Sequence, residues 1–91
     1  LGYFLYNVYM EKYGYHRREI TKGIYGDISK VQEEVDEYSD AKEQGILLME
    51  LQELSDIYGA LEELSKTYNI TMEDLKKMSD ATKRAFKIGK R

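Results

Sequence analysis

Between Ile28 and Leu64 the chain carries two short acidic signatures, Glu34-Val-Asp-Glu37 and Glu53-Leu-Ser-Asp56, on two segments of helical periodicity joined by a glycine turn. A residue three positions on along an α-helix stands only about 60° further round and one turn on, so each pair presents two carboxylates on one face. The turn at Glu43-Gln44-Gly45, with Gly45 as its natural left-handed residue, is short enough to make the two helices antiparallel neighbours. The pairs then face one another as a four-carboxylate cage. Like charges so close are unfavourable unless a cation lies between them. An all-oxygen, all-acidic set suits a hard cation, Mg²⁺ first and Mn²⁺ second.

The periodicity predicts a first helix from Asp27 or Ile28 to about Lys42, with Ile28, Val31, Val35 and Tyr38 as a narrow core stripe. Glu34 borders that stripe, Glu37 lies one step out, and Glu33 and Asp36 fall on more exposed flanks. Lys30 precedes Glu34 by four and can pair with it. A second helix, about Ile46 to Tyr68, has the stripe Leu47, Leu51, Leu54, Tyr58 and Leu61, widened by Ile57 and Leu64. Glu50 and Glu53 border it and Asp56 lies beyond. Mid-helix Gly59 suggests a close helix crossing. Thr71 with Asp74 reads as a capping box and Ile70 with Leu75 as a hydrophobic staple, so a third helix runs from Met72 to about Lys87. Its inner face is Met72, Leu75, Met78, Thr82 and Ala85, with Gly89 as the stop.

The fold class expected is therefore all-α, one domain over residues 1–91: a small bundle of two antiparallel metal-binding helices plus a C-terminal helix. Residues 27–91 form its helical core. Residues 1–26 are a tyrosine-rich element, helical over Phe4–Lys12, followed by the basic connector His16–Gly26. The tyrosines suit packing or subunit contact, since Tyr buries a ring and keeps a polar tip, with stacking on a nucleobase as the functional alternative. His16, a lone histidine, is read as a surface or hydrogen-bonded residue rather than a ligand.

Several chemistries are excluded. Cysteine is absent, which removes thiolate metal sites and Cys nucleophiles. One histidine leaves no room for a Glu-x-x-His pair on each of two helices, so Mg²⁺ is preferred over iron. There is no Walker-type loop, and no G-x-S-x-G elbow. A formal charge of −3 with interspersed signs gives no drive toward nucleic acid. No apolar run approaches a membrane span and no signal peptide is recognisable, so the expected location is cytoplasmic.

EEVDE followed after a helical hairpin by ELSDIYGALEEL resembles the all-α nucleoside triphosphate pyrophosphohydrolase superfamily, which includes the MazG-like and dCTP pyrophosphatase proteins. Its hallmark is E-x-x-E on one helix and E-x-x-D on the next. The wider string ITKGIYGDISKVQEEVDEYSDA and the closing TKRAFKIGKR resemble the short phage-type MazG-like proteins, so the likeness spans roughly Ile20 to Arg91. The resemblance implies Mg²⁺-dependent hydrolysis of an NTP or dNTP between its α- and β-phosphates. It also implies that Glu34, Glu37, Glu53 and Asp56 hold the metal and that the chain forms a homodimer or homotetramer. Lys30, Lys77, Lys83, Arg84 and Lys22 are the candidates for meeting the triphosphate. One departure stands out: relatives carry Lys-x-x-x-Asn on the third helix, whereas here Lys77 is followed four residues later by Ala81.

Overall fold

The computed structural model describes residues 15–89. The tyrosine-rich segment before Tyr15, with its expected helix over Phe4–Lys12, lies outside the described residues. Among the described residues there are three helices and no strands: α1 (Ile28–Gln44), α2 (Leu47–Lys66) and α3 (Met72–Lys87). Each boundary has a local cause. Asp27 caps α1 by accepting from the Ser29 N–H, and Gly45, at φ 72°, closes it in the left-handed region while its N–H bonds back to Ala41 and Lys42. Asn69, at φ 59°, turns the chain after α2. Thr71 and Asp74 then form the reciprocal capping box that starts α3.

The turn at Gly45 folds α2 back along α1, as the pairing of Lys42 with Glu50 across it requires. The connector ahead of α1 runs back along that helix in the opposite direction. Its start is held by His16 and the Arg17 N–H on Asp40 and by Arg18 on Glu43. Its end is held by the Gly23 N–H on Glu33 and the Ile24 N–H on Ser29. At Gly23 the backbone of α1 comes so close that a Cβ would stand 2.2 Å from the Ser29 carbonyl oxygen and 2.5 Å from the Lys30 nitrogen. Only glycine fits there. Helix α3 is tied to α2 through Ser65, whose hydroxyl donates to Leu61 O and lies 3.6 Å from the Met72 sulfur, but no residue of α3 is fully buried.

The interior differs from the expected stripes. On α2 the buried residues are Glu53, Ala60 and Ser65, with Ile57 and Leu64 half-buried, whereas Leu47, Leu51, Leu54 and Tyr58 are exposed. Each residue advances about 100° round a helix, so the leucine row lies roughly 120° from the row facing α1. The helix has turned its acidic and small side inward. On α1, Val31 is buried but Ile28 and Val35 are exposed, and Glu33, expected on an open flank, is 3% exposed. Met78 of the expected inner face of α3 is exposed as well. The physical reason is that a two-helix hairpin covers one face of each helix, and that face is occupied by the carboxylates. Nor, among the described residues, does any close crossing occur at Gly59, where a Cβ would meet nothing within 4 Å.

The two glycines therefore have opposite mutational signs. Gly23→Ala should destabilise the chain by roughly 1–3 kcal/mol through backbone overlap. Gly59→Ala should stabilise it by about 0.5–1 kcal/mol through helix propensity. Urea unfolding of the two variants checks both, and a stable Gly23→Ala protein would contradict the packing described.

Candidate metal centre

Helix α1 supplies Glu34 and Glu37 and helix α2 supplies Glu53 and Asp56, one turn apart on each. Antiparallel packing brings one carboxylate oxygen from each of the four to within 4.8 Å of all the others. The sequence-expected quartet is thus one cluster. Glu53 is 0% exposed and Glu34 5%. Both oxygens of Glu53 and Oε2 of Glu34 are buried without a hydrogen-bond partner. Buried carboxylate oxygens are rarely left so, because an unpaired buried charge is costly.

The electrostatics follow from this crowding. Burial, reinforced by neighbouring Asp56, pushes the Glu53 carboxyl up to about 8. Burial, with Glu34 and then Glu33 beside it, pushes Glu37 up to about 8 as well. Around the cluster, other carboxylates are well compensated. Burial of Glu33 is offset by the Gly23 N–H at 2.7 Å, by Lys30 at 3.3 Å and by Lys22 at 3.7 Å, and its carboxyl stays below the ordinary range. Burial of Asp40 is likewise offset by His16, Gln44 and the Arg17 N–H. Lys30 also reaches Glu34 at 3.0 Å. Burial alone lowers its ammonium's pKa, but the two carboxylates more than offset that and raise it.

The remaining basic candidates stand elsewhere. Lys77 and Lys83 pair within α3, with Glu73 and Asp80, and Arg84 is exposed on the same helix. Lys22 and Lys30 alone among the five touch a carboxylate next to the cluster.

Three residues were not assigned to the site from the sequence: Asp40, Glu33, and His16, whose reading as a surface or hydrogen-bonded residue holds in its bond to Asp40. His16 is buried, its ring stacked at a tilt on Tyr15 with centroids 4.5 Å apart. Nδ1 lies 2.8 Å from Asp40 Oδ2, while Nε2 lies 3.3 Å from Glu53 Oε1 and 3.6 Å from Glu37 Oε2. The contact with Glu53 is within ion-pair distance but lacks hydrogen-bond geometry, which is why that oxygen counts among the unpartnered ones. Asp40 extends the row Glu34, Glu37 at the same spacing of three, a signal present in the sequence. His16 reaches these partners from at least 21 positions away, beyond any local spacing rule.

The donor set fits a divalent cation: four carboxylates converge, three of their oxygens, on Glu34 and Glu53, are buried without a hydrogen-bond partner, and half-buried Asp56 accepts from Gln52 at 3.1 Å. The chain matches no family model, no curated protein and no solved structure. Among the described residues, no helix is long and apolar enough to cross a membrane.

The sign of the pH dependence can be worked out. In the folded chain Glu37 and Glu53 keep protons up to about 8 that unfolded carboxyls release near 4.5. The folded state thus binds more protons in that window, and stability falls as pH rises through it. Asp40 and Glu33 are held low, so their contribution is lost on acidification below the ordinary carboxylate range. The thermal midpoint of the cation-free chain should therefore peak near about pH 5 and decline toward about pH 8, and excess Mg²⁺ should reverse most of the decline. Calorimetric scans with EDTA and with Mg²⁺ test this, and a flat, cation-insensitive profile would argue against the cage.

Proposed function

We propose that this chain is a Mg²⁺-dependent, MazG-like nucleoside triphosphate pyrophosphohydrolase that converts an NTP or dNTP and water into the corresponding monophosphate and pyrophosphate. The observation that carries the reading is the convergence of Glu34, Glu37, Glu53 and Asp56 with unpartnered oxygens inside the hairpin. Mg²⁺ held by these four would neutralise phosphate oxygens and lower the pKa of the attacking water, with Mn²⁺ as a substitute. The protein's own share is to hold the carboxylates in place before substrate arrives. One of the four carboxylates would take the proton of the attacking water. Lys30, held beside Glu33 and Glu34, and the exposed Lys22 would meet the triphosphate, a reading supported by their position next to the carboxylate cluster. Lys77, Lys83 and Arg84 of α3 would contribute only where α3 borders the bound nucleotide.

The exposed row Leu47, Leu51, Leu54 and Tyr58 supports self-association into a dimer or tetramer, since a chain this short gains much of its apolar burial from partners. The same row is what favours the second reading, a non-catalytic helical interaction module. The readings part at Glu53. In a module Glu53→Gln relieves repulsion and leaves partner binding intact, whereas in a metal enzyme it removes cation-dependent stabilisation.

Pyrophosphate release measured across a panel of NTPs and dNTPs, with Mg²⁺, Mn²⁺ or EDTA, should show metal-dependent turnover of a subset. Glu53→Ala and Asp56→Ala should each lower it by at least about 100-fold while keeping helical content. Retained turnover in both variants would sink the proposal, and silence of the folded wild-type chain across the panel would favour the module.

A further inference from the structure

The four-carboxylate set is not the whole of the polar interior. His16 enters it from the connector, and its surroundings determine which nitrogen carries the proton. Asp40 Oδ2 accepts from the Arg17 backbone N–H at 3.2 Å and faces His16 Nδ1 at 2.8 Å. An ionised carboxylate only accepts, so the 2.8 Å bond requires hydrogen on Nδ1. Nε2 is then the atom turned toward Glu53 Oε1 at 3.3 Å and Glu37 Oε2 at 3.6 Å. A carboxylate that receives one ring N–H and thereby aims the other nitrogen is the arrangement that orients metal-binding histidines.

The spacings agree with shared coordination. Ligand atoms about 2.1 Å from one ion stand roughly 3.0 Å apart at adjacent octahedral positions and roughly 3.4 Å apart in a tetrahedron. The His16, Glu37 and Glu53 donor atoms all lie within 4.8 Å of one another. Glu53, wholly buried with neither oxygen hydrogen-bonded, points into this group.

We propose that His16 Nε2, Glu37 and Glu53 form a mixed nitrogen–oxygen subsite for a first-row transition cation, overlapping the all-oxygen set and sharing two of its carboxylates, with Asp40 as the positioning residue. Imidazole ranks such ions above Mg²⁺, which takes oxygen ligands and water. The chain thereby discriminates between cations by a residue outside the hairpin. The inference rests on the metal-centre part of the reading above and not on the reaction.

The chain's single histidine makes the test direct. In long-range ¹H–¹⁵N spectra of the full chain, Zn²⁺ should shift the Nε2 resonance and Co²⁺ should broaden it, while Mg²⁺ leaves it in place. By calorimetry, His16→Gln should weaken Co²⁺ binding by roughly 10–100-fold and leave Mg²⁺ affinity little changed, and Asp40→Asn should weaken Co²⁺ in the same direction with the imidazole still present. An Nε2 resonance unmoved by saturating Zn²⁺, or a folded His16→Gln protein that holds Co²⁺ as tightly as wild type, overturns the subsite and leaves His16 a structural ion-pair partner. Should His16→Gln lose its helical content, the wild-type spectra decide alone. Pyrophosphate release with an unmoved imidazole would refute this inference only. Selective Co²⁺ binding without pyrophosphate release would refute only the reaction.

Discussion

Mutual repulsion among carboxylates held inside a helical hairpin is the constraint to which the other features of this chain answer. Among the described residues, the largest fully buried side chains are Glu53 and Asp40, not aliphatic ones. Removing an ionised carboxylate from water without a partner is among the most expensive events in folding, and the usual escapes are a proton, a counter-charge or a metal ion. All three kinds of compensation are laid out within one turn or two of helix. Protons serve Glu37 and Glu53, fixed partners serve Glu33 and Asp40, and the convergence of oxygens offers a place for a cation.

The connector, irregular as it is, completes this arrangement. It lies against α1 through side chains of that helix, with Asp40, Gln44 and Glu43 at one end and Glu33 and Ser29 at the other. The Gly23 N–H reaches Glu33 only because no side chain keeps the two backbones apart. A segment without regular structure is thus fixed by polar contacts at both ends, and one of those ends delivers an imidazole to the carboxylates.

Much of this was legible in the sequence, for reasons that are local. Gly45, the Thr71–Asp74 box and the stop at Gly89 set helix ends through their own backbone preferences, and the ends fall within two residues of expectation. The two acidic pairs could be placed on one face by counting residues. Facing was another matter. Apolar periodicity identifies the side of a helix that avoids water, and it indicates the side facing this chain's own partner helix only when that helix is the sole cover available. For Leu47, Leu51, Leu54 and Tyr58 it pointed elsewhere, and the face toward α1 went to Glu53 and Ala60. The partners of His16 were hidden for a second reason: they lie on two helices far along the chain, a relation that no spacing encodes.

An interior built from charge rather than hydrocarbon also bears on how long such a molecule survives. Opening a hydrophobic core is opposed by water itself, whatever the solutes present. If the proposed cation is held between Glu34, Glu37, Glu53 and Asp56, opening this hairpin would be opposed to a degree set by its occupancy. Proteases that act on transiently open chains sample that population. The turnover of the protein would then follow the supply of divalent ions, giving the cell less of it when the ion is scarce.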